Sequence, residues 1–498
     1  MKIKNIIPIA LLLFAGVSCT DGFEEINENS VKSKVHEAPL ETFFTMMQNK
    51  GTMDNFQRKQ HLFHNMYAQY FSDIKFDSDR YSYQDGWINV LWRDCYLNIV
   101  NGSNVILSKT EDNVQPNMRA QTIIFRTWMF MKTTDTFGDI PYFDPINGKG
   151  LELGYLVRYD KQKDIYYDMF AQLDKAINLI DEDNIAPFNT FTDADAMLNG
   201  DMSKWKKFAN SLRLRMAIQI SKVDPDKAKT EGEKSLALPL LDSNADNVSL
   251  KMDIKDNIKH KLKAISNWNE FRMSSTIENV LEKTADAVDP RERWYFSPSK
   301  KDGEYNGLPV GLASDKEAGY KDLGSNIGPW FQLEKDYDIM RYSEICFLKA
   351  EAGTLGWSGA GDIETNYLDG IKASFNHINN TATDATKKKT NEISEEEYDA
   401  YIASQGVSLA SGDKQKKIIT QKWLAVFPDG HLAWADFRRT GFPSELTPPE
   451  DPIDFPQGQF IKRVRYVENE HLLNGDNVQK ALGSKTDDLT TPVWWDVD

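Results

Sequence analysis

Cysteine is scarce in this 498-residue chain, with three in all, so no disulfide framework holds it together. Two of them, Cys95 and Cys346, sit in the apolar helical contexts "WRDCYLNIV" and "RYSEICFLKAEAG" and read as buried thiols. Basic clusters are missing too. The net charge is −16, and without a block of Lys and Arg the chain has nothing to hold a phosphate backbone, which excludes nucleic acid as a partner. After residue 18 no apolar run approaches the ~20 residues that a membrane-spanning helix needs. Catalytic signatures are absent: there is no Gly-x-Ser-x-Gly elbow and no His-Glu-x-x-His. The glycines of "GLPVG" and "GAGD" lack the spacing of a phosphate loop. His61 and His64 in "HLFH" stand one turn apart without a third ligand, and read as helix core rather than a metal site. No cofactor is expected. Calcium would find an acidic surface but no ligand loop of defined spacing.

What is present begins at the amino terminus. Lys2 and Lys4 precede an apolar run from Ile6 to Val17, followed by small residues and Cys19 in "LLLFAGVSCTDGFEE". A basic start, a short apolar middle and small residues before a cut form a secretory signal. The pattern resembles a bacterial lipoprotein signal, with residues 1–18 removed and Cys19 lipidated. Residues 19–40 would then be a tether, whose Asp21, Glu24 and Glu25 resemble surface-export signals of Bacteroidetes lipoproteins. Two or more acyl chains make such an anchor stable.

From residue 41 to 234 the periodicity is helical. "AQTIIFRTWMFMKTTDTFGDIPY" is a strongly apolar helix stopped at Gly138 and Pro141, and "DIYYDMFAQLDKAINLI" is amphipathic, with Ile165, Met169, Leu173, Ala176 and Ile180 on one face. "GDMSKWKKFANSLRLRMAIQISKVDP" follows, with Asp201 or Ser203 available as its cap. Residues 235–340 are dense in turn formers and scattered aromatics, the composition of loops and short strands that carry binding groups. Helical signal returns over 341–498, interrupted by "NNTATDATKKKTNEISEEE", which reads as a mobile surface connection. The expectation is a mainly α fold of stacked helical hairpins, each burying its apolar face on the next, with a loop-rich region laid over the scaffold. No strict 34-residue period marks tetratricopeptide repeats.

Several segments in order resemble a known family: "FGDIPY" at 137–142, "KWKKFANSLRLRMAI" at 204–218, "DPRERWYF" at 289–296, "SEICFLKAEAG" at 343–353 and "QKWLAVFPDGHLAWADFRRTGFP" at 421–443. With "FEEIN" after Cys19 and "WWD" at 494–496, the set resembles the SusD/RagB outer-membrane lipoproteins. The resemblance implies one tetratricopeptide-like α-α superhelical domain, made of the three regions above. It implies lipid anchoring in the outer membrane, facing outward, as a lid over a SusC-like TonB-dependent transporter barrel. It implies binding of glycans, or in some members peptides, without catalysis. Asn210, Arg213, Arg438 and Arg439 then fix helix packing, the arginines pairing with carboxylates or carbonyls.

Sugars stack their C–H faces on aromatic rings and need hydrogen-bond partners for their hydroxyls. The chain has 12 Trp and 19 Tyr, and two non-periodic clusters fit that chemistry. One is "FDSDRYSYQDGW", with Tyr81, Tyr83 and Trp87 among Asp79, Arg80 and Asp85. The other comprises Trp268, Trp294, Tyr305 and Trp330 near Asn269, Glu270 and Asn306. These seven rings are the candidate ligand surface. Two further readings stay open on composition: a glycoside hydrolase, since 75 acidic residues always allow a carboxylate pair at the required ~5–10 Å, and a helical-repeat scaffold for other proteins.

Overall fold

Eight helices carry the scaffold: α1 (Pro116–Phe137), α2 (Gln162–Leu179), α3 (Met202–Gln219), α4 (Pro225–Leu236), α5 (Tyr342–Thr354), α6 (Ile363–Thr381), α7 (Lys414–Ala425) and α8 (Gly430–Thr440). In this computed structural model the described residues are 38–149, 156–252, 261–282, 287–313, 319–333, 336–382 and 385–497. Cys19, the signal 1–18 and nearly all of the tether 19–40 lie outside them. Residues 41–498 form one compact unit.

The helices form where the sequence supplies period and caps. Pro116 opens α1 at its first turn, where its missing N–H costs nothing. Nearly every residue of α1 is buried, including Arg126, Lys132 and Asp135, so this helix is enclosed on all sides by its neighbours. It stops at Gly138, whose φ of +85° a side chain would strain. The Asp201 carboxylate caps α3 by accepting from the Lys204 N–H at 3.1 Å. Pro225, just past the end of α3, opens α4 at its first turn.

Consecutive helices pack as pairs, α1 with α2, α3 with α4 and α5 with α6, and α7 lies on α5. Buried ion pairs lock the layers. Arg215 of α3 makes a two-pronged contact with Glu344 of α5, at 2.6 and 2.7 Å. Arg439 of α8 and Lys422 of α7 share Glu351 of α5 and Asp436 of α8, all essentially without exposure. Arg213 pairs with Asp174 and Glu231. Arg438 lies 3.4 Å above the Trp434 ring and donates to the carbonyls of Lys462 and Asp135. Asn210 donates to the carbonyls of Ser235 and Pro239. Asn210, Arg213, Arg438 and Arg439 thus serve helix packing.

Among the described residues the strands are short and pair in twos, five of the six falling in 235–340. β1 (Phe71–Asp73) pairs antiparallel with β3 (Phe271–Met273), β2 (Val248–Leu250) with β6 (Tyr337–Met340), and β4 (Phe296–Ser297) with β5 (Asn326–Ile327). The stretch read as a mobile connection is partly helical, with helices at Ala385–Asn391 and Glu395–Ala403. Ser394 and Glu397 form a complete capping box at the start of the second, which outweighs the polar composition of the segment.

Cys95 and Cys346 are buried free thiols. His61 and His64 are buried core residues: the His61 ring lies edge-on to Phe271 at 4.3 Å, and His64 Nε2 bonds to the Thr136 hydroxyl at 2.9 Å. Among the described residues no group of three or more His, Cys, Asp or Glu is placed to hold a metal, and no helix is long and apolar enough to cross a membrane.

Candidate functional site

The pairing of β1 with β3 sets two sequence-distant segments side by side. Asp73 lies opposite Phe271, and the chain continues through residues 74–84 to the helix Asp85–Arg93 on one side and comes from 268–270 on the other. The Ile74 N–H donates to the Glu270 carbonyl at 3.1 Å, and the Lys75 ammonium pairs with the Glu270 carboxylate. Phe76 bridges the two: its ring meets Trp87 edge-on at 5.8 Å and stacks on Phe271 at 6.1 Å. Trp268 ends the helix Lys261–Trp268 and is 48% exposed. Asn269, at φ +61°, turns the chain into β3. The pairing therefore sets the open Trp268 and the Lys75–Glu270 pair on neighbouring segments, with the half-buried Trp87 in ring contact with Phe76.

Trp87 stands in the first turn of the helix Asp85–Arg93, and the segment leading to it is tied down by hydrogen bonds. Asp73 accepts hydrogen bonds from the N–H groups of Lys75, Phe76 and Ser78 and from the Ser78 hydroxyl. The buried Asp79 accepts from the N–H groups of Asp73 and Gly311. Arg80 is clamped between Asp77 at 2.7 Å and Asp451 at 2.6 Å. Asp79 and Arg80, expected to face a ligand, are thus largely used in building the loop. Tyr83 is half-buried under the Arg465 guanidinium, 4.0 Å from its centroid, and Asp85 accepts from the Glu468 N–H.

Three of the seven rings are not exposed. Tyr81 is 1% exposed, held edge-on between Tyr67 and Phe455. Trp294 is fully buried in the one-turn helix Glu292–Tyr295 that feeds β4. Trp330 is fully buried, stacked on Tyr295 at 5.7 Å, with Nε1 donating to the Thr381 hydroxyl. Each is enclosed by other side chains, so they belong to the core. No local period in "RERWYF" or "GPWF" reveals this, because the burial comes from distant partners.

Tyr305 is half-buried and lines a separate 460 Å³ cavity with Asp289, Glu292, Arg293, Glu397 and Tyr401. Burial, reinforced by Glu282, Asp289 and Glu278, pushes the Glu292 carboxyl up to about 8. The sequence reading missed this cavity, since its carboxylates come from the Asp289 turn, the one-turn helix Glu292–Tyr295 and the capping-box helix. A second 460 Å³ cavity lies at the end of α8, between Phe437 and Phe460 with Lys222, Lys462 and Asp496.

A family model described as "Susd and RagB outer membrane lipoprotein" matches residues 20–496. The chain belongs to the SusD-like family. Solved SusD-like structures share its fold over nearly its whole length. A chitin-binding SusD homologue from Flavobacterium johnsoniae aligns with a TM-score of 0.77 at 28% identity, covering 92% of this chain and 99% of its own. SusD homologues from Parabacteroides distasonis (TM-score 0.79, 26% identity, 92% and 98% covered) and Bacteroides uniformis (0.78, 26%, 92% and 99%) align equally well. No match is found among curated proteins. The SusD-like fold accounts for the helical scaffold, and in this member it leaves Trp268 as the ring most open to a ligand among the seven.

Proposed function

We propose that this chain is a lipid-anchored glycan-binding protein of the outer membrane, facing outward, that hands oligosaccharide to a SusC-like TonB-dependent transporter. The observation that carries the reading is its 28% identity, across 92% of the chain, to a homologue described as chitin-binding. A second relative at 26% identity is also described as a chitin-binding protein. A β-linked, N-acetylated hexosamine oligomer is accordingly the first ligand to test. Lipidation at Cys19 is supported by the family description and by a family match that opens at residue 20.

The edge around Trp268 suits capture rather than catalysis. An open indole accepts a sugar face, while Lys75 and Glu270 reach its hydroxyls from beside it. Trp268 and Lys75 are open to solvent, which suits a ligand that is bound and then released. Incubating the protein with chitooligosaccharides separates the readings. Retention on the sugar without new reducing ends supports binding. New reducing ends would show hydrolysis, and retention on peptide mixtures alone would move the ligand class to peptides.

A further inference from the structure

The cavity beside Tyr305 holds a carboxylate that the fold leaves unanswered. Glu292 is 5% exposed, and its Oε1 has no hydrogen-bond partner among the described residues. The other charges on the walls are matched. Arg293 pairs with Glu397 and donates to the carbonyls of Asn391 and Glu392. Asp289 is held by Arg291 at 2.6 Å and by the Tyr401 hydroxyl at 2.5 Å. An orphaned buried acceptor costs stability unless something fills the role, and 460 Å³ is room for a sugar-sized ligand.

We propose that this cavity is a subsite for an amino sugar with a free amine, whose ammonium donates to Glu292 while its ring lies against Tyr305. The surroundings select a cation. Burial first, and then Glu282, Asp289 and Glu278, raise the affinity of Glu292 for a proton, and the negative potential of those three carboxylates favours a small cation that can donate a hydrogen bond. A metal would need more ligands than the described residues assemble. Val288, Pro290 and Ala400 supply apolar wall for ring C–H groups, and the Asn391 side chain lies within reach of hydroxyls. The empty site keeps its proton at neutral pH, and the incoming ammonium replaces it, so binding releases one proton to solvent. Arg293, Glu397, Tyr305 and Tyr401 also face the cavity but are paired or uncharged there.

This subsite rests on the glycan reading above, and the test keeps the two apart. The full chain is titrated calorimetrically at about pH 6.5, in buffers of different ionisation heat, with a fully deacetylated glucosamine tetrasaccharide and with its fully N-acetylated counterpart. The wild type is expected to bind the free-amine oligomer more tightly and to release about one proton per ligand. Glu292→Gln keeps the shape of the side chain, and an unchanged melting temperature confirms its fold. It should lose about tenfold or more in affinity for the free-amine oligomer and lose the proton release, with N-acetylated binding unchanged. Equal behaviour of wild type and variant, or tighter binding of a lysine peptide than of the free-amine oligomer, overturns the subsite. Loss of N-acetylated binding in a Trp87→Ala/Trp268→Ala variant, with the free-amine response intact, supports a separate subsite.

Discussion

Replacing Trp330 by alanine removes an indole whose surroundings are closed. The ring stacks on Tyr295 at 5.7 Å, meets Phe331 at 5.1 Å and His377 edge-on at 5.8 Å, and carries the Arg341 guanidinium 5.2 Å from its centroid. Truncating a buried Trp costs about 3–5 kcal/mol in lost transfer energy and cavity, and the Thr381 hydroxyl loses the Nε1 donor at 2.9 Å. Unfolding entropy scales with length and comes to about 1 kcal/mol/K for a unit of this size, so the melting temperature should fall by ~3–5 °C. Trp268→Ala makes the opposite case. Nearly half its surface is open, so truncation should stay within about 0.5 kcal/mol and leave the melting temperature almost unmoved. Thermal and urea unfolding of the two variants side by side, followed by circular dichroism, measures both. A Trp330→Ala protein that melts with the wild type, yet fails to bind sugar, would refute the assignment of this ring to the core.

Glu351→Ala leaves Arg439 and Lys422 with Asp436 alone in a buried setting, and urea titration should show a loss of about 3–5 kcal/mol. Gly430→Ala would place a Cβ 2.4 Å from Asn65 Oδ1 and 2.5 Å from its backbone. Neither can yield cheaply, and the variant should melt several degrees lower or express poorly, as a yield and melting assay will show. Burial raises Asp135 to about 6, against hydrogen bonds from Tyr166 and Trp495 that pull it down. A carboxyl raised on folding favours the protonated native state, so its contribution is greatest below the unfolded value and is lost as pH rises towards 6. Asp135→Asn should flatten that part of the stability–pH curve, by on the order of 1–3 kcal/mol between about pH 4 and 7.

Helices were legible because their information is local. The period of "DIYYDMFAQLDKAINLI" and the cap at Asp201 appear where the sequence puts them, in α2 and α3. The loop-rich character of 235–340 was equally plain, but its pairing was not: β3 joins β1 across two hundred residues, and that pairing brings the segment after Trp268 beside the one that leads to Trp87. Exposure of single aromatic rings was the least legible. Trp268 and Trp330 sit in similar turn-rich stretches, and distant Tyr295, Arg341 and Thr381 decide that one is core. Polar neighbours misled in the same way, since Asp79 and Arg80 serve the loop itself. The Ser394–Glu397 box was readable in "SEEE", and its signal was masked by the charge around it.

The central claim is sugar capture by Trp268 and Trp87. Affinity for an N-acetylated chitooligosaccharide, compared between wild type and Trp87→Ala/Trp268→Ala, tests it most directly. The account predicts a loss of about tenfold or more, ~1.4 kcal/mol, with folding retained. Identical affinity in the two proteins would place the ligand elsewhere and contradict the account.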